Sequence, residues 1–107
     1  AAYDAPFPDH RYKAGVRRFP ALVPVSPEME GVETGLAAVK FWSKAWSGES
    51  FMAVGMQDPV LGPDTMAWLQ KTIRGCPDPM EIAEGGHFVQ EWGEPIARAA
   101  LEKFRLA

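Results

Sequence analysis

Hydrophobic and polar positions alternate between two rhythms along this chain. Met29, Val32, Leu36, Val39, Trp42 and Trp46 recur at steps of three and four, which predicts a helix over 27–47. Ser26-Pro27 suits its start and Ser47-Gly48 its end, although Gly31 and Gly35 weaken the first turns. Ser50–Met56 is almost wholly apolar between Gly48 and Asp58-Pro59, as in a strand buried on both faces. Gly62-Pro63-Asp64 then opens a helix over Thr65–Ile73, with Met66, Leu69 and Ile73 on one face and Gly62 or Asp64 as its cap. Gly75-Cys76-Pro77 stops it. A short strand follows at Met80–Ala83, then the loop Glu84–His87, then a helix over Glu94–Leu106 with Ile96, Ala99, Ala100, Lys103 and Phe104 inward.

Residues 1–27 behave differently. Five prolines divide them, Asp9 is placed to cap a short helix, and Pro20 can open a further helical turn at Ala21–Val23. Beyond residue 27 the order is helix, strand, helix, strand, helix, the signature of an α/β parallel sheet. Two parallel strands are too few for a sheet covered on both faces, so the remaining strands are expected on a segment outside these residues.

The chain has 107 residues, 47% of them hydrophobic and 23% charged, which is globular composition. No apolar run is long enough for a membrane span, and the start lacks a secretory signal. It opens on Ala1 rather than Met, as expected of a chain cut from something longer. The net charge of −3 argues against nucleic acid; the basic cluster Arg11, Lys13, Arg17 and Arg18 reads as a solvated helix face. A lone cysteine fits a reducing compartment, so cytoplasm is the expected location, and two His with one Cys give no zinc spacing.

In open α/β sheets ligands bind beyond the carboxyl ends of the strands. Asp58 lies two residues past the first strand and His87 past the second. An aspartate there is ordinarily a turn former, and a lone loop histidine ordinarily a surface residue. Together, on neighbouring strand ends, they make the arrangement a general base requires: a carboxylate that fixes the tautomer and stabilises the imidazolium. The order acid then His is that of the α/β-hydrolase triad, yet no G-x-S-x-G elbow is present, so the nucleophile is expected outside these residues. Cys76 is the other nucleophile to weigh, but it precedes the second strand, at the opposite sheet edge from His87. Trp42 and Trp46 share a helix face and read as core packing rather than a ligand cage; Trp68 and Trp92 are ambiguous.

The blocks Ala2–Pro8, Ala14–Pro20, Phe51–Asp58, Leu61–Asp64 and Gly85–Glu91 together resemble haloalkane dehalogenases, nearest the branch of the dichloroethane-degrading enzyme. G-x-x-D and G-G-H-F are widespread in α/β-hydrolases; Tyr-Asp-Ala-Pro-Phe-Pro and Val-Arg-Arg-Phe-Pro narrow the likeness. The resemblance covers the whole chain and corresponds to the last third of such an enzyme. It implies that residues 1–27 end a helical cap. Residues 28–107 would then be the C-terminal part of the main domain, with the last two parallel strands and their helices. It further implies hydrolysis of a small haloalkane to alcohol and halide, a detoxifying reaction with water as co-substrate and neither metal nor organic cofactor. His87 would be the base and Asp58 the acid that orients it. Phe19, Pro20 and Val23 of the cap, with Val60 and Leu61 of the main domain, would line the substrate pocket; ordinary core packing is the alternative for these five. The aspartate nucleophile and the halide-binding tryptophans would belong to the missing N-terminal segment, leaving this chain inactive alone. A related epoxide hydrolase or esterase, or a non-catalytic fragment, stays open.

Overall fold

The computed structural model describes residues 2–106. The chain forms two compact units that divide between Ala37 and Ala38.

The first unit is a succession of short helical turns. Single 3-10 turns at Ala2–Asp4 and His10–Lys13 precede α1 (Ala14–Arg18), and another follows at Phe19–Leu22. Asp9 is the cap expected from the sequence: its Oδ1 accepts the Arg11 backbone N–H at 2.8 Å, and its Oδ2 meets the Arg11 guanidinium at 2.8 Å. Pro20 stands in the first turn of the Phe19–Leu22 helix, where its fixed φ fits and its missing N–H costs nothing.

α2 (Val32–Lys40) starts later than the periodicity predicts. Met29 N–H donates to Ser26 and Val32 N–H to Met29, so residues 26–32 form successive turns. Gly31 has φ +93, a left-handed backbone that a continuous right-handed helix excludes. The Ser26-Pro27 pair therefore begins a turn and not the helix. At its far end α2 widens into a single π turn over Phe41–Ala45, closed by Trp46 N–H on the Phe41 carbonyl at 2.9 Å. The rings of Trp42 and Trp46 sit 4.8 Å apart, edge to face, and Phe41 packs edge-on against both. The indole of Trp46 donates to Ser50 Oγ, and Arg74 N–H donates to the Trp42 carbonyl. These two tryptophans pack as the sequence suggests.

The second unit is built on β1 (Ala53–Gly55) and β2 (Met80–Ile82), paired in parallel with Ala53 opposite Met80 and Gly55 opposite Ile82. The ladder reaches one residue beyond at each end, through Met80 N–H on Met52 and Met56 N–H on Ile82. Both apolar runs are longer than the strands they form. Pairing defines a strand, and among the described residues each has one neighbour. α3 (Pro63–Thr72) joins them as the crossover helix that parallel neighbours need, with Gly62 as N-cap and Pro63 at the first helical position. Asp64 falls inside the first turn and does not cap. A 3-10 turn (Val89–Trp92) leads into α4 (Gly93–Lys103). Arg105 then takes φ 56, which ends that helix short of Leu106.

The α/β class read from the sequence is thus the class observed. The core is small: Met52, Val54 and Ile82 are its buried hydrophobic side chains, packed around Gly55 and Gly85. Met66 and Leu69 of α3 are half-buried, as expected, and so is Ile73, which follows the helix as its extended C-cap residue. The α2 stripe differs: Leu36 is 65% exposed and Val39 borders solvent. Periodicity marks a helix face as apolar, but burial also needs a neighbour to cover it. Among the described residues no helix is long and apolar enough to cross a membrane.

Candidate active site

β1 and β2 run in parallel, so the loops leaving them emerge on one sheet edge. The β1 loop turns at once: Asp58 N–H donates to the Gly55 carbonyl at 3.2 Å. The Asp58 side chain curls back over its own loop, where Oδ1 accepts the N–H groups of Val60 at 2.8 Å and Leu61 at 2.9 Å. This is the turn-forming role of an aspartate, and it immobilises the carboxylate, whose side chain is only 8% exposed. The β2 loop brings His87 to it. Nδ1 of His87 lies 3.1 Å from both Oδ1 and Oδ2 of Asp58. The imidazole itself remains 45% exposed and meets the Phe88 ring edge-on at 5.6 Å.

Burial pushes the Asp58 pKa up and is the strongest single influence on it. The amides of Val60 and Leu61, then His87, together outweigh burial and hold the carboxyl below its ordinary value. An ionised carboxylate can only accept, so Nδ1 of neutral His87 carries the proton and Nε2 keeps the lone pair. That is the tautomer a general base needs. Because folding lowers the pKa, the associated stability is complete above the unfolded value of about 3.9 and is lost as pH falls through the folded value.

Val60 and Leu61 sit on the Asp58 loop with exposed side chains, held through their backbones. Phe19, Pro20 and Val23 lie in the first unit, where Val23 N–H closes the helical turn on the Pro20 carbonyl; Phe19 and Val23 are exposed. Cys76 precedes β2 and so lies at the other sheet edge from His87; burial pushes its thiol pKa up, which disfavours the nucleophilic thiolate. Trp68 is exposed on α3. The concavity between β1 and α3, about 260 Å³ and lined by Val54, Met56, Met66 and Gln70 among others, contains neither Asp58 nor His87.

Gln57 carried no expectation from the sequence, yet it bridges the two loops. Its N–H donates to the Gly85 carbonyl at 2.8 Å and its side-chain amide to the Ala83 carbonyl at 3.2 Å. The one sequence signal was its place between strand and acid.

No protein-family model matches the chain. It is 41% identical over 105 residues to a haloalkane dehalogenase of Psychrobacter cryohalolentis, a match covering 94% of this chain and 34% of that protein. It is 38% identical to a haloalkane dehalogenase of Mycobacterium marinum, covering 89% of this chain and 32% of the relative. Among solved structures, the tetrameric haloalkane dehalogenase DpaA of Paraglaciecola agarilytica superposes with a TM-score of 0.88 at 55% identity, over 94% of this chain and 34% of that one. Over nearly all of its length the chain is similar in sequence and in fold to haloalkane dehalogenases, which are α/β-hydrolases, and it spans about a third of the length of the relatives it matches.

Proposed function

We propose that this chain supplies the acid and the base of a hydrolytic haloalkane dehalogenase. The observation that carries the reading is the ionised Asp58 carboxylate against Nδ1 of His87, at the ends of adjacent parallel strands. In the first step an aspartate carboxylate outside these residues attacks the halogen-bearing carbon in line. A carbon–oxygen bond forms, the carbon–halogen bond breaks, and halide leaves with the bonding pair. In the second step Nε2 of His87 takes a proton from water as the water oxygen attacks the ester carbonyl. The alcohol departs, the carboxylate returns, and the proton held on His87 passes to solvent. Haloalkane and water thus become alcohol, halide and a proton. Asp58 holds the ring and stabilises the imidazolium formed between these events.

Residues 1–27 are the end of the cap in this reading and residues 28–107 part of the main domain. Phe19, Pro20 and Val23, and separately Val60 and Leu61, are the residues assigned to the apolar pocket of the complete enzyme, for a small haloalkane. Their exposure, like that of Leu36, supports a covering partner, and the missing N-terminal segment of the same enzyme is the partner proposed. Water kept from such a pocket leaves the nucleophile poorly solvated and reactive. Neither metal nor organic cofactor takes part. A reducing, cytoplasmic setting accords with the single free cysteine.

The test is product stoichiometry with the full-length protein that carries this chain. Incubated with a short bromoalkane, it is expected to release bromide and alcohol in equal amounts, while the 107-residue chain alone releases none. Turnover of an epoxide or a carboxylic ester without any halide release from the bromoalkane would transfer the site to a related hydrolase.

A further inference from the structure

We propose that Gln57 is a positioning residue that sets the distance between the two loops of the site; this rests on the assignment of Asp58 and His87 as acid and base. Two hydrogen bonds leave Gln57 for the loop that carries His87. The backbone N–H reaches the Gly85 carbonyl at 2.8 Å, and the side-chain amide reaches the Ala83 carbonyl at 3.2 Å. Gln57 is itself bonded in sequence to Asp58. The acid and the base are therefore tied through one residue, by bonds that bracket Glu84, the central residue of the turn between Ala83 and Gly85. The turn has its own closure, Gly85 N–H on the Ile82 carbonyl at 2.9 Å, but that bond fixes the turn's shape and not its place beside Asp58.

The backbone bond survives substitution by any residue but proline, so the side chain acts on what remains: the tilt of the Ala83–Gly85 turn, and with it the approach of His87 to Asp58. Gln57 is exposed, and its amide competes with water. The effect expected is accordingly that of one modest hydrogen bond, about fivefold in the rate of the step that uses His87. The first chemical step does not use His87 and is expected to be untouched.

The full-length protein carrying this chain is compared with its Gln57→Met variant, which keeps the reach and loses the donor, and its Gln57→Lys variant, which keeps a donor. Rapid-quench halide release reads the first step, and the decay of the alkyl-enzyme mass reads the second. Gln57→Met is expected to slow ester decay about fivefold, lower kcat in proportion and leave the halide burst rate unchanged. Gln57→Lys is expected to recover decay to within about twofold of the parent. Should Gln57→Met not fold, Gln57→Ala carries the same comparison. Ester decay at the parent rate in Gln57→Met, whatever its melting temperature, overturns the proposal, as does equal slowing in Gln57→Lys. A His87→Asn variant run alongside separates the two levels. If it accumulates ester while Gln57→Met decays normally, only the role of Gln57 falls. If it accumulates none, the acid–base assignment falls and this proposal with it.

Discussion

Replacing His87 by asparagine is expected to stop the reaction halfway. Asparagine offers no lone pair basic enough to take a proton from water, so the ester formed in the first step persists. A positioned general base contributes about 10²- to 10⁴-fold, and kcat should fall by that factor. Halide release should not vanish. It should appear as a burst of one equivalent per site, because the first displacement needs no base. Intact mass spectrometry should then find the protein heavier by the alkyl group of the substrate. The structure makes this a test of a specific nitrogen. With Nδ1 donating to an ionised Asp58 across 3.1 Å, only Nε2 can serve as the base. Full turnover in His87→Asn would remove His87 from the chemistry. Loss of the burst as well would mean that the histidine is also needed for the displacement, and the two-step assignment would have to be redrawn.

What the sequence disclosed, and what it did not, follows from the kind of interaction involved. β1 and β2 were legible because a nearly continuous apolar run between Gly and Pro has few other readings. The Asp58–His87 encounter was legible because two parallel strands joined by one helix send their exits to the same edge. The late start of α2 was not, since it turns on the φ of Gly31, and glycine tolerates both hands of backbone. Nor was the exposure of Leu36 and Val39, because periodicity says which face of a helix is apolar and nothing about what lies opposite. Gln57 escaped for a third reason. Its partners are the carbonyls of Ala83 and Gly85, and a backbone carbonyl looks the same under every side chain. The glycines of the site were half legible. A Gly85-Gly86 pair permits a close backbone approach, but the partner in that approach, Gly55, lies thirty positions away, within an ordinary apolar run.

That approach gives the second large effect, expected for Gly55→Ala. A Cβ on Gly55 would lie 2.6 Å from the carbonyl oxygens of both Gly85 and Gly86 and 2.9 Å from the Gly85 carbonyl carbon. The contacts are reciprocal: a Cβ on Gly85 would lie 3.2 Å from the Gly55 Cα and 2.8 Å from Ile82 Cγ2. No rotamer relieves a clash between a Cβ and a backbone carbonyl, so the loop itself has to rise. Gly85 is also where the Gln57 N–H is bonded, and His87 follows two residues later. Lifting the loop therefore lengthens the Gln57 bond and draws Nδ1 away from Asp58. Overpacking of this kind costs about 1–3 kcal/mol of stability, and a catalytic group displaced by about 1 Å can cost about 10²-fold in rate. Gly93→Ala is the matched control: a Cβ there meets nothing within 4 Å, and its helical backbone, with φ −58, accepts alanine. In the full-length protein Gly55→Ala should lower the melting temperature and slow ester decay far more than the halide burst. Gly93→Ala should change neither. Parent-like melting and turnover in Gly55→Ala would mean that the β2 loop has room to move without disturbing His87, and that the glycine contact does not set the geometry of the pair.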